Sequence, residues 1–125
     1  MVQEAELTGL RVLVLEDDFL VAAMIADLLQ DWGCHVTGPV ARVSGAVELA
    51  GARPLDGALL DIDLRGEFCF AAAAVLRRRD IPFFFVTGYD DGDIIPAEYR
   101  SVPRLKKPIQ PRVLAGMMAE HFSHH

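Results

Sequence analysis

Glu16, Asp17 and Asp18 stand directly after a short apolar run, Arg11 to Leu15 (RVLVL), and Asp61 stands directly after another, Ala58 to Leu60. Thr87 lies near the end of a third run, PFFFVTG from Pro82, and Lys106-Lys107-Pro108 closes a fourth. If these runs are parallel strands, their polar ends meet in one cleft. Carboxylates packed together repel and raise one another's pKa. A hard cation relieves that repulsion, and clustered carboxylate oxygens suit Mg²⁺, which keeps several waters of its own. A lysine and a threonine hydroxyl beside the metal can hold the remaining oxygens of a phosphoryl group. One carboxylate is then free to act as nucleophile and form an acyl phosphate. In phosphoryl transfer of this kind, positioning and charge neutralisation do most of the catalysis. Singly, each piece has an ordinary reading as a turn with a helix cap, a loop start, a strand exit or a surface loop. In this order and at these strand ends, the set is specific.

The elements that must position these groups alternate along the chain. RVLVL is β-branched and too short for a helix, which predicts a buried strand. Asp18 is placed to cap a helix whose inner face is Val21, Met24, Ile25, Leu28 and Trp32, with Gly33 as its left-handed end. His35 to Val40 reads as a weaker strand and Val43 to Ala52 as a helix. A turn at Asp56-Gly57 precedes the strand that ends at Asp61. A helix is expected over Glu67 to Arg79, built on Ala71 to Ala74. PFFFVTG is apolar enough to be a central strand covered on both faces. Val102 to Leu105 reads as a last strand. Pro111 opens a closing helix with the face Val113, Leu114, Met117, Met118 and Phe122. Strand and helix repeated five times predict an α/β fold, a parallel sheet with helices on both sides. Ligand sites in such sheets lie at the carboxyl ends of the strands.

Bulk properties narrow the function classes. The 125 residues suit one domain, and 52% hydrophobic residues are enough for a packed core. A net charge of −6 argues against a nucleic-acid backbone binder. The run Arg77 to Arg79 reads as a solvated helix end that complements the helix dipole. Cys34 and Cys69 match no CxxC spacing and read as buried or half-buried thiols in a reducing cytoplasm, with a disulfide as the weaker reading. No apolar run reaches the roughly 20 residues of a membrane span. The acidic start MVQEAELTG is unlike a signal peptide. The expectation is a cytoplasmic protein.

The residues LVLEDD, ALLDIDLRG, FFFVTGY and LKKP together resemble a response-regulator receiver domain. The resemblance runs from Leu10 to about Phe122, within a single receiver domain over 1–125. The separations agree with that family: 26 residues from Asp61 to Thr87 and 20 from Thr87 to Lys107. The resemblance implies the flavodoxin-like receiver fold, with five parallel strands in the order 2-1-3-4-5. It implies that Glu16, Asp17, Asp61 and the backbone carbonyl of Asp63 hold Mg²⁺, and that Asp61 is the phosphoacceptor. Thr87 would contact the phosphoryl group, and Lys107 would pair with one of its oxygens, with Pro108 fixing the loop through a cis bond. Lys106 would point to the other face. The partner would be a sensor histidine kinase or a histidine phosphotransfer protein, with an output protein reached through protein contacts. No nucleic acid, membrane or enzymatic activity on a separate substrate is implied. A stand-alone regulator is expected.

The chain departs from that pattern in three places. Arg104 stands where receivers usually carry an aromatic three residues before the site lysine, which leaves Tyr89 as an available aromatic. The stretch Tyr89 to Ser101 is broken by Asp-Asp-Gly and Pro96, so the fourth helix is expected to be short, displaced or partly disordered. VTGY followed by an Ile-Pro segment and LKKP resembles a subgroup with a Phe-Ala-Thr-Gly-Tyr motif, Val86 taking the place of alanine. Arg65 replaces a common proline, and Asp63 adds a carboxylate expected to alter metal affinity or phosphoryl lifetime. Two rivals are weighed. One is a pseudo-receiver that keeps the fold as a docking module. The other is a haloacid-dehalogenase-type phosphatase, for which Asp61-x-Asp63 fits. Its position after an inner strand, Arg65 and the small size do not fit.

Overall fold

The computed structural model describes residues 4–88 and 94–124. Five parallel strands form its main sheet: β1 (Arg11–Leu15), β2 (His35–Val40), β3 (Gly57–Asp61), β6 (Phe83–Thr87) and β7 (Arg104–Lys106). They lie in the order β2-β1-β3-β6-β7, and within this sheet alone that is the expected 2-1-3-4-5. The extra labels come from a two-stranded hairpin, β4 (Asp63–Leu64) and β5 (Glu67–Phe68), inserted after β3.

Alternation along the strands divides the core in two, because successive side chains point to opposite faces. Leu13, Leu15, Ala58, Leu60, Phe83 and Phe85 pack on one face beneath α3 (Val43–Ala52) and α4 (Phe70–Arg78). Val12, Val14, Leu59, Phe84, Val86 and Leu105 pack on the other beneath α2 (Phe19–Asp31) and α5 (Pro111–His121). Every residue of β3 and β6 is buried, as a strand covered on both sides requires.

Local signals set most element ends where the sequence places them. Asp18 Oδ1 accepts from the backbone N–H of Leu20 and Val21, capping α2. Gly33 follows α2 with a φ of +84°, and Pro111 opens α5. The Lys107–Pro108 bond is cis, as expected.

Four expectations are corrected. The helix predicted from Glu67 begins at Phe70, because Glu67 and Phe68 pair with Leu64 and Asp63 across a two-residue turn. That turn holds Arg65 at φ +59° and Gly66 at φ +90°, the doubly left-handed form that two-residue hairpins favour. The last strand runs over Arg104–Lys106, two residues later than its predicted start, since the 3₁₀ turn at Ala97–Tyr99 occupies the approach. Met24 and Val113 are exposed, while Ile25, Leu114, Met118 and Phe122 are buried as expected and Leu29 and Ala115 join them on the inner faces of α2 and α5. A helical turn, α1 (Glu4–Leu7), brings the fully buried Leu7 into the core ahead of Leu10.

Between β6 and β7 the described residues 94–101 include the 3₁₀ turn Ala97–Tyr99 and no α-helix, which agrees with the expected short fourth helix. Tyr89 lies outside the described residues. Tyr99 anchors this segment by stacking on Phe70 at 5.9 Å and meeting Phe83 and Phe85 edge-on. Arg77 lies 4.7 Å over the Tyr99 ring and donates to the Glu98 carbonyl at 2.8 Å. Arg79 donates to the Arg53 carbonyl at 2.8 Å. The basic run is therefore exposed, as read from sequence, and it also ties α4 to its neighbours.

Candidate functional site

The carboxyl ends of β1, β3, β6 and β7 bring Glu16, Asp17, Asp61, Thr87 and Lys107 to one edge of the sheet. Register explains the convergence. Leu15 aligns with Leu60, Asp61 with Val86, and Thr87 with Lys106, so the residues just past each pairing share one level. Two backbone bonds lock this edge: Ile62 N–H donates to the Val86 carbonyl and Lys107 N–H to the Thr87 carbonyl, at 3.3 and 2.9 Å.

Glu16, Asp17 and Asp61 each offer a carboxylate oxygen, and these oxygens lie within 4.8 Å of one another. Glu16, Asp61 and Thr87 are buried, and Asp17 is the more open member. Lys107 Nζ lies 3.0 Å from Glu16 Oε1 and 3.4 Å from Asp61 Oδ2. Glu16 Oε2 accepts from Asp18 N–H at 3.0 Å, while Glu16 Oε1 has the lysine charge beside it but no aligned hydrogen bond. A cluster of three carboxylates with one lysine to balance them fits a hard cation that prefers oxygen ligands, as Mg²⁺ does.

Electrostatics follow from this packing. Burial, reinforced by the Glu16 charge, pushes the Asp61 carboxyl up from an ordinary 3.8 to about 8, against the opposing pull of Lys107. Burial lowers the Lys107 ammonium, but its contacts with Glu16 and Asp61 outweigh that and leave it raised. Without further positive charge, the Asp61 carboxyl is biased toward its protonated form.

Asp63 is placed differently from the other acids. It starts β4, its side chain is exposed, and its Oδ1 accepts from Gly66 N–H at 2.8 Å. Its carboxylate thus shapes the hairpin turn and stands outside the group of three. Lys106 is exposed on β7. Arg104, in the position expected to be aromatic, is exposed and donates to the Arg100 carbonyl at 3.3 Å. Cys34 and Cys69 are free and buried, and burial pushes their thiols up to about 11 and about 12.

One residue at the site was missed as a site residue. Arg65 Nε lies 3.4 Å from Asp17 Oδ2. Sequence marks Arg65 only as a substitution for proline. A proline, fixed near φ −65°, cannot occupy this left-handed position.

No family model matches the chain. Among solved structures, the chain is 31% identical to the signal receiver domain of a modulated diguanylate cyclase from Desulfovibrio desulfuricans G20. The match covers 89% of this chain and 93% of that one, with a TM-score of 0.76. It is 36% identical to SdrG from Sphingomonas melonis Fr1, over 89% and 94% of the two chains, at a TM-score of 0.78. The receiver domain of sensor histidine kinase PA1611 from Pseudomonas aeruginosa PAO1 is 24% identical over 90% and 97% of the chains, at 0.78. At that identity the likeness speaks for fold, and that structure carries a magnesium ion in its active-site cleft. Curated relatives from Bacillus subtilis and Mycobacterium tuberculosis, 27% and 28% identical over 94% and 68% of this chain, are described as transcriptional regulatory proteins. The chain spans about half the length of these relatives, 52% and 42%.

Proposed function

The chain belongs to the receiver domains of response regulators, and from that premise we propose that it takes a phosphoryl group onto Asp61 from a histidine kinase or a histidine phosphotransfer protein. The observation that carries this reading is the meeting of Glu16, Asp17 and Asp61 within 4.8 Å, with Lys107 Nζ 3.4 Å from Asp61 Oδ2.

Glu16, Asp17 and Asp61, with the backbone carbonyl of Asp63, would hold Mg²⁺. Bound there, the cation supplies the charge that ionises Asp61 and neutralises the transferring group. An Asp61 carboxylate oxygen attacks phosphorus, the bond from phosphorus to the donor's nitrogen or oxygen breaks, and the donor leaves with that electron pair. Lys107 pairs with a phosphoryl oxygen as its contact with Asp61 is given up. The Thr87 hydroxyl donates to another phosphoryl oxygen. Its carbonyl already accepts from Lys107 N–H, so movement at Thr87 passes directly to the lysine loop.

The protein acts as one receiver unit, and its only chemistry is its own phosphorylation and dephosphorylation. Its output runs through protein contacts. VTGY at 86–89 resembles the Phe-Ala-Thr-Gly-Tyr motif and supports reading the chain as a member of that subgroup.

Intact mass after incubation with acetyl phosphate and Mg²⁺, beside Asp61→Asn, tests the reading. One added phosphoryl group, absent in the variant and without Mg²⁺, is expected. A folded, Mg²⁺-binding protein that gains no mass from acetyl phosphate or from phosphorylated kinases would instead be a docking module. Steady turnover of a phosphomonoester would favour the phosphatase.

A further inference from the structure

The three site carboxylates are matched by two cations that come from different parts of the chain. Lys107 lies against Glu16 and Asp61, and Arg65 lies against Asp17. Lys107 belongs to the family pattern. Arg65 does not, and it is delivered by the β4–β5 hairpin.

The local backbone makes that delivery specific. A two-residue turn with both residues left-handed favours Asn or Gly at its first position, because a larger side chain is strained there. Arg65 occupies this position at φ +59°, and the Asp63 side chain pins the following Gly66 N–H. An arginine adds nothing to the turn that asparagine would not supply better. What it adds is a positive charge aimed at the most open of the three carboxylates. Outliers of this kind gather at functional sites.

We propose that Arg65 is an internal competitor of the divalent cation: its guanidinium occupies Asp17 in the metal-free state, is released when the metal binds, and so weakens Mg²⁺ affinity. The inference rests on the Mg²⁺ reading of the acidic cluster. Its direction follows from charge alone, since a guanidinium beside Asp17 repels a divalent cation and engages one of its ligands. Arg65 is largely exposed, so the effect is modest and sensitive to salt.

Calorimetric titration with Mg²⁺ alone, in low salt, compares the wild type with Arg65→Gln and Arg65→Lys. The backbone penalty at this position is similar for all three side chains, so only the charge separates them. Arg65→Gln is expected to bind Mg²⁺ roughly two- to five-fold more tightly, the range set by an exposed ion pair. Arg65→Lys should stay near the wild type, and the gap between wild type and Arg65→Gln should close as NaCl rises toward about 0.5 M. Circular dichroism establishes that each variant is folded. Equal or weaker binding in folded Arg65→Gln, or a gap indifferent to salt, overturns the proposal and leaves the phosphoacceptor reading standing. A wild type that binds no Mg²⁺ overturns both.

Discussion

Asp61 lies at the end of a strand buried throughout, beside a second buried acid, and its proton is held up to about 8. In an unfolded chain the same carboxyl titrates near 3.8. Between those values the native state keeps a proton that the unfolded state has lost, so stability must fall as pH rises. Without divalent cation, the melting temperature should therefore decline from about pH 5 to about pH 8 more steeply than in Asp61→Asn. Saturating Mg²⁺ should flatten the decline, because bound charge removes the cost of ionisation. Equal slopes in the wild type and Asp61→Asn would refute this account. At this scale the sequence is informative about types: acids after apolar runs and a lysine before proline identify the candidates. It is silent about Arg65, because an ion pair between residues 48 positions apart depends on where the hairpin tip comes to rest.

The elements whose ends depend on local chemistry were legible: Asp18 as a cap, Gly33 past α2, Pro111 opening α5. The β4–β5 hairpin was not, because each of its strands has two residues and no periodicity can show in so short a run. The alanine-rich sequence after it has strong helix propensity, which drew the predicted start of α4 back to Glu67. Gly57 illustrates a constraint that only packing reveals. A Cβ there would fall 2.5 Å from the Phe122 ring, which stacks on Phe84 at 5.1 Å. The Gly57→Ala variant should lose about 1–3 kcal/mol, read as a lower urea midpoint, as overpacking in a closed core does. A variant as stable as the wild type would mean that the end of α5 yields freely.

Across the whole molecule, two apolar clusters on opposite faces of one sheet hold four strand ends level, and that level edge is the site. Truncating a residue that anchors one cluster should therefore disturb stability and site together. Phe84→Ala, in the fully buried β6, should cost about 3–5 kcal/mol and weaken Mg²⁺ binding. Stability lost with Mg²⁺ affinity intact would show that the edge is held locally. The α/β class, the central place of PFFFVTG and the identity of the acids, hydroxyl and lysine at the strand ends are legible along the chain. These follow from the periodicity and length of apolar runs, which short-range physics fixes. How the buried oxygens are paired, which carboxylate lies nearest solvent, that Asp63 serves its own turn and that Arg65 faces Asp17 emerge only from the folded packing. Those outcomes depend on distances between residues far apart in the chain, set only when both faces of the sheet are packed.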